Sequence, residues 1–234
     1  MAGFFRLLTA LSLLPACCGV VMSLLDSILA SSGASGWISV ESMSALGGVA
    51  AFSLCWMAVS HPVRAYVLGH ELTHALWGLL FGAKPSDLRV GAGGGSVRLS
   101  KSNLLITLAP YFFPFYTFIV VVAALLTYAF LRPLPFMPLW MFLVGFTWAF
   151  HVLFTIETLT QRQPDIKLYG RMFSWVFIFL VNAFIVMAWL AVTTPLTFPQ
   201  LFGFLAHRTI ASYAAVAEAA AGAVKFLIDL KKGA

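Results

Sequence analysis

The chain has 234 residues, 61% of them hydrophobic and only 9% charged, with a mean hydropathy of +0.95. Globular chains carry roughly 25% charged residues, so this composition excludes a soluble domain and reads as a membrane protein with room for about five to seven helical spans. The net charge of +6 does not argue for nucleic acid, because the basic residues sit in short connections between apolar runs, where they act as topology signals and contacts to lipid headgroups. No basic helix or aromatic-interleaved basic patch is present, and no nucleic-acid partner is expected. Cys17, Cys18 and Cys55 all lie within apolar runs, which indicates neither a disulfide framework nor a cysteine-type zinc site.

The first apolar run, Phe4 to Ala30, is longer than the core of a signal peptide and reads as a span. A Ser/Gly connection at 31–36 leads to a second, shorter run from Ala45 to Ser60. His61-Pro62 breaks that helix, and Pro62 can open the next one. The third run, Val63 to Phe81, carries His70, Glu71 and His74 in its middle and ends at Gly82 and Lys84-Pro85. Leu88-Arg89-Val90, the glycine-rich turn at 91–95 and Val97-Arg98-Leu99 then read as a β-hairpin. Its alternation predicts Leu88, Val90, Val97 and Leu99 on one face and both arginines on the other.

The fourth run, Leu104 to Phe130, has Pro110 and Pro114 near its start, so its first turns are predicted to be irregular. Two further runs, Leu139 to Leu159 and Tyr169 to Val192, are separated by a polar break containing Gln161, Gln163, Pro164 and Asp165. The Ala-rich tail after Pro199 is predicted as an amphipathic helix lying at an interface. The resulting fold class is an all-α integral membrane protein of about six transmembrane helices with a small membrane-associated β-hairpin. It divides into two N-terminal helices (1–62), a core (63–195) and the tail (196–234).

An ionisable side chain inside a span costs about 2.5–3.5 kcal/mol on insertion scales and marks a functional site by default. His70 and His74 are one helical turn apart and share a face, a spacing that lets two imidazoles bind one tetrahedral metal ion. Glu71 is rotated about 100° from His70, near enough to take a proton from a bound water without ligating the metal. His70-Glu71-Leu72-Thr73-His74 is therefore a zinc-hydrolase pattern with Zn2+ as the expected cofactor and Glu71 as the catalytic base. Zinc needs a third protein ligand, for which Asp165, His151, Glu157 and Asp26 are the candidates. Asp165 sits in a polar break where the chain can turn a carboxylate into the membrane, and His151 is the alternative.

These residues resemble the site-2 protease family of intramembrane zinc metalloproteases. The resemblance covers about 63–190 and rests on Gly69-His70-Glu71-Leu72-Thr73-His74-Ala75, the hairpin at 88–99, the run at 104–130 and Gln163-Pro164-Asp165. It implies His70, His74 and Asp165 as metal ligands and hydrolysis of a peptide bond in or near a transmembrane segment of a membrane-protein substrate. Ile166 stands where the family commonly has glycine, and Gln161 and Gln163 stand where an asparagine would be sought. A divergent branch is thus implied, with a non-catalytic subunit that binds another membrane protein as the second reading. No segment resembles a soluble regulatory module, so regulation is expected from a membrane partner.

An extended substrate segment adding to the hairpin edge would contact Gly93, Gly94 and Gly95, with Gln161 and Gln163 as further substrate-binding candidates. The family's orientation places the hairpin, and with it the active site, on the cytosolic side. Lys84, Arg89, Arg98, Lys101, Arg162, Lys167 and Arg171 then face the cytosol, against Arg6, Arg64 and Arg132 opposite, in accord with the positive-inside rule. The basic residues of the tail fall on the other side.

Overall fold

A computed structural model of the chain describes residues 2–32, 39–59, 61–91, 93–161 and 163–232. Most of the connection at 31–36 lies outside them, as do Ala92 and Arg162. The described residues form α1 (Ala2–Ser32), α2 (Val40–Ala58), α3 (Val63–Leu80), a hairpin of β1 (Pro85–Gly91) and β2 (Gly94–Leu99), and α4 (Leu104–Leu108). A 3-10 turn at Ala109–Tyr111 follows, then α5 (Phe115–Phe130), α6 (Met137–Thr160), α7 (Pro164–Tyr169), α8 (Arg171–Thr193) and α9 (Phe198–Lys232).

Five helices, α1, α2, α6, α8 and α9, are long and apolar enough to cross a membrane. The segment α4 to α5 passes the same test only as a pair, bent by 85° at its break. That bend is the irregularity expected of Pro110 and Pro114, which remove two backbone donors from the start of the run. The 18-residue α3 is outside the group, because Arg64, His70, Glu71 and His74 dilute its apolar sequence. The tail differs from its interfacial expectation in one respect: α9 is a single 35-residue helix whose Ala-rich sequence meets the hydropathy of a crossing.

The chain forms two compact units, one of residues 1–37 and 179–234 and one of residues 38–178. In the first, α1 packs along α9. Gly19 lies so close to the α9 backbone that a Cβ would stand 2.6 Å from Thr209 Cα. Ser23, Ser27 and Ser31 continue the same stripe at four-residue intervals, fully buried, each returning its hydroxyl to a carbonyl of its own helix. Small residues at that spacing let helix backbones approach without a large apolar filler. The pair is closed by Arg208, which donates through Nε and Nη2 to both carboxylate oxygens of Asp26, the second bond at 2.8 Å.

In the second unit, α2 and α6 cross at Gly48 and Gly145. A Cβ on Gly48 would lie 2.0 Å from the carbonyl oxygen of Phe142, and one on Gly145 would lie 2.0 Å from that of Ala45. Beside this crossing Phe52, Ala149 and Phe154 form a buried cluster with Trp56, Tyr66 and Phe150 around it. The helix α3 packs against α5 and against both strands of the hairpin.

The hairpin register places Pro85 opposite Leu99, Ser86 opposite Arg98, Arg89 opposite Ser96 and Val90 opposite Gly95, with a bulge between Ser86 and Arg89. Because opposed residues share a face, Arg89 and Arg98 lie together on one side and Val90, Val97 and Leu99 on the other. The alternation is interrupted by the bulge, where Asp87 has a φ of 51° and pairs with Arg98 at 2.9 Å. Val97 and Leu99 are half-buried, whereas Leu88 and Val90 on the outer strand are exposed.

The α2–α6 crossing makes a definite prediction. Gly48→Ala should destabilise the protein by about 1–3 kcal/mol through overpacking. Gly47→Ala, one residue along with only a ring carbon of Phe142 3.9 Å away, should be neutral or slightly stabilising. Thermal unfolding of the two variants in detergent micelles, followed by circular dichroism, separates these outcomes.

Candidate metal centre

The site is assembled from three elements of the second unit. The helix α3 supplies His70, Glu71 and His74, α7 supplies Asp165, and β2 closes over Glu71. His70 Nε2 lies 3.5 Å and His74 Nε2 3.3 Å from the same oxygen of Asp165, Oδ2. The ligating atoms of these three residues are all within 4.8 Å of one another, and they form the one such group among the described residues. Atoms bound at 2.0–2.2 Å to a single tetrahedral ion stand about 3.3–3.6 Å apart, so the donor set fits a metal ion of that size.

Asp165 reaches this point because Pro164 opens α7 at its first position and Gly170 ends it with a φ of 91°, a backbone conformation suited to glycine. Ser174 fastens the short helix by donating to the Ile166 carbonyl at 3.1 Å. The Tyr111 hydroxyl donates to Oδ2 of Asp165 at 3.2 Å.

The orientation of His74 follows from a proline. In a continuous helix the carbonyl of Ile106 would accept from the N–H of residue 110, but that residue is Pro110 and has none. His74 Nδ1 lies 2.9 Å from this carbonyl and supplies the missing donor. A carbonyl oxygen only accepts, so the proton is on Nδ1 and the Nε2 lone pair faces the site. Asn103 places the acceptor, capping α4 with a side-chain oxygen 2.9 Å from the Ile106 N–H. On His70 the outer nitrogen lies 3.4 Å from the hydroxyl of Tyr66, one turn earlier on α3, and the Tyr66 ring is stacked on Phe154.

Glu71 is 7% exposed and stands outside the ligand group. The backbone N–H of Val97 on β2 lies in the neighbourhood of its carboxylate. The strand can come this close because residue 95 is glycine: a Cβ there would lie 2.6 Å from Val67 Cγ1 and 2.8 Å from Glu71 Cγ. Two cavities flank this contact. The larger, about 490 Å³, is lined by His70, Glu71, Gly93, Gly94, Gly95, Glu157, Gln161 and Gln163, among others. The smaller, about 390 Å³, is lined by all of His70, Glu71, His74 and Asp165 and by Gly95 and Gln163.

Gly93, Gly94, Gly95, Gln161 and Gln163, singled out from the sequence for substrate binding, all line the larger cavity. The three rival ligands lie apart from the group. His151 is buried on α6 with no partner for its Nε2 among the described residues, and it lines a small cavity of about 20 Å³ together with Tyr66, Gly69 and His70. Glu157 lines the larger cavity, 3.8 Å from His61. Asp26 belongs to the first unit, bound by Arg208. Tyr66, Tyr111 and Ile106 were not singled out from sequence, although two signals were available: Tyr66 four residues before His70, and Pro110 four residues after Ile106.

The chain matches no protein-family model, and no curated protein or solved structure shows significant similarity to it.

The proline-made acceptor yields a test. Pro110→Ala restores an N–H that competes with His74 for the Ile106 carbonyl. Nitrogen-15 spectra of the imidazoles in the metal-free protein should show His74 as the Nδ1–H form in the parent and as a tautomer mixture in the variant.

Proposed function

We propose that the chain is a multi-pass membrane zinc metalloprotease, a divergent relative of the site-2 proteases, cleaving a peptide bond in or near a transmembrane segment of another membrane protein. The observation that carries this reading is the convergence of His70, His74 and Asp165 on one point, with the buried carboxylate of Glu71 beside it but outside the ligand set. Two imidazoles and a carboxylate leave the fourth position of a tetrahedral ion open, which is the pattern of a catalytic rather than a structural zinc site. When bound, zinc supplies a Lewis acid that polarises a carbonyl and lowers the pKa of water to about 7.

The chain's own residues do the rest. Glu71 takes a proton from the attacking water and returns it to the departing amine. The close packing of β2 at Gly95 against the Glu71 and Val67 side chains limits where that carboxylate can go. A helical substrate shields its own peptide bonds, so it must unwind before it can be cut. The larger cavity, walled by Gly93–Gly95 on one side and by Gln161 and Gln163 on another, gives an extended segment polar partners along its backbone. The excess of Lys and Arg on the hairpin side of the chain supports a cytosolic placement of the site.

Purified protein should contain one zinc per chain by elemental analysis, and His70→Ala, His74→Ala and Asp165→Ala should each lose it. Tyr111→Phe and Tyr66→Phe remove outer hydrogen bonds from Asp165 and His70 and should weaken zinc binding by about 10-fold each. Glu71→Gln should keep the metal and lower cleavage by about 10²–10⁴-fold, read by mass spectrometry of new termini in single-span reporters reconstituted in liposomes. Zinc retained with no cleavage of any reporter, in parent and variant alike, would favour the non-catalytic scaffold.

A further inference from the structure

Glu157 is the one carboxylate on the wall of the larger cavity besides Glu71 that no step of the proposed reaction uses. Its Oε2 lies 3.8 Å from Nδ1 of His61, too far for a hydrogen bond. The other ring nitrogen of His61, Nε2, is 3.1 Å from the carbonyl oxygen of Trp56, and the ring is stacked on the Trp56 indole with centroids 3.6 Å apart. A carbonyl oxygen cannot donate, so Nε2 carries the proton, and in the neutral imidazole Nδ1 presents a lone pair. In that form the Nδ1 lone pair and the Glu157 carboxylate are two acceptors 3.8 Å apart, Glu157 on the cavity wall and His61 beside it, outside the lining itself. Among the described residues no lysine or arginine lines the cavity, while Thr158, Gln161 and Gln163 add further acceptor oxygens near Glu157.

We propose that Glu157 and His61 form a subsite that selects a substrate with a basic side chain, lysine or arginine, close to the scissile bond. This rests on the proteolytic reading of the zinc site and adds a substrate preference to it. A single ammonium or guanidinium nitrogen placed about 2.8 Å from each acceptor bridges a 3.8 Å gap with two hydrogen bonds, both to groups that only accept. An acidic side chain in the same place would face the carboxylate with no cation to offset it. Stacking on Trp56 fixes the plane of the imidazole, so the fork is formed before the substrate arrives.

The test uses Glu71→Gln protein in detergent micelles, which holds a peptide without cutting it. The probes are three fluorescent peptides, identical except for a central arginine, norleucine or glutamate, with binding read by anisotropy. The arginine peptide should bind about five- to tenfold more tightly than the norleucine peptide, the range for a charge-assisted bond that is still partly exposed. Glutamate should bind worst. Adding Glu157→Gln should erase the arginine preference, and adding His61→Phe, which keeps the ring stacked on Trp56 but removes both nitrogens, should reduce it. Equal affinity for arginine and norleucine, or an arginine preference that survives Glu157→Gln, overturns the proposal. Repeating the comparison on metal-free protein separates it from the zinc reading: a preference without any bound zinc leaves the subsite standing while the metalloprotease falls, and bound zinc without a preference does the reverse.

Discussion

The candidate metal centre depends on one hydrogen bond whose origin is a missing one. Pro110 deprives the Ile106 carbonyl of its helical donor, and in an apolar interior an unpaired carbonyl costs about 1–3 kcal/mol. His74 meets that need, and in doing so fixes both its ring orientation and its tautomer. The broken start of the α4–α5 segment is therefore part of the site: the irregular backbone supplies the acceptor, the acceptor sets the imidazole, and the imidazole stands with His70 and Asp165 about a common point. Asn103, by capping α4, holds the acceptor in register with α3.

The packing around that point follows from the scarcity of charge. With so few polar groups available, the second unit packs through small residues, Gly48 against the Phe142 carbonyl and Gly145 against that of Ala45, and Gly95 lets β2 approach Glu71. Van der Waals contact between closely spaced backbones is what remains to hold helices together when the surroundings are as apolar as the side chains. The same closeness that joins α2 to α6 brings β2 onto α3, so a packing device in one place becomes a constraint on Glu71 in another, with Gly95 leaving room for its side chain.

Much of this was legible in the sequence because periodic signals are local. His70 and His74 one turn apart, the glycine-rich turn between two short β-runs, and the two prolines opening the fourth run each state their geometry within a few residues. What was not legible depended on distant contacts. The sequence offered four possible third ligands, and only the folded chain separates Asp165 from His151, since both are compatible with their local patterns. The partner of Asp26 is 182 residues away and could not be read from its neighbours. The stripe of Gly19, Ser23, Ser27 and Ser31 was visible in principle, as small residues every four positions, but its meaning required knowing that α9 lies against it. The bulge between Ser86 and Arg89 shows the limit of alternation, which a single extra residue interrupts while the strands stay paired on either side.

The pairing of Asp26 with Arg208 also has a temporal side. The acid lies in α1 and the base in α9, 182 residues further along the chain. At about 5–20 residues per second of synthesis, Arg208 leaves the ribosome roughly 10–40 s after Asp26. For that interval an α1 held in a bilayer carries a carboxylate with no counterion from its eventual partner helix, so it must stay near the surface, protonate, or be sheltered by the insertion machinery. The pairing of α1 with α9 is then completed only once α9 is made, and a chain cut short before residue 208 would lack the guanidinium that closes it.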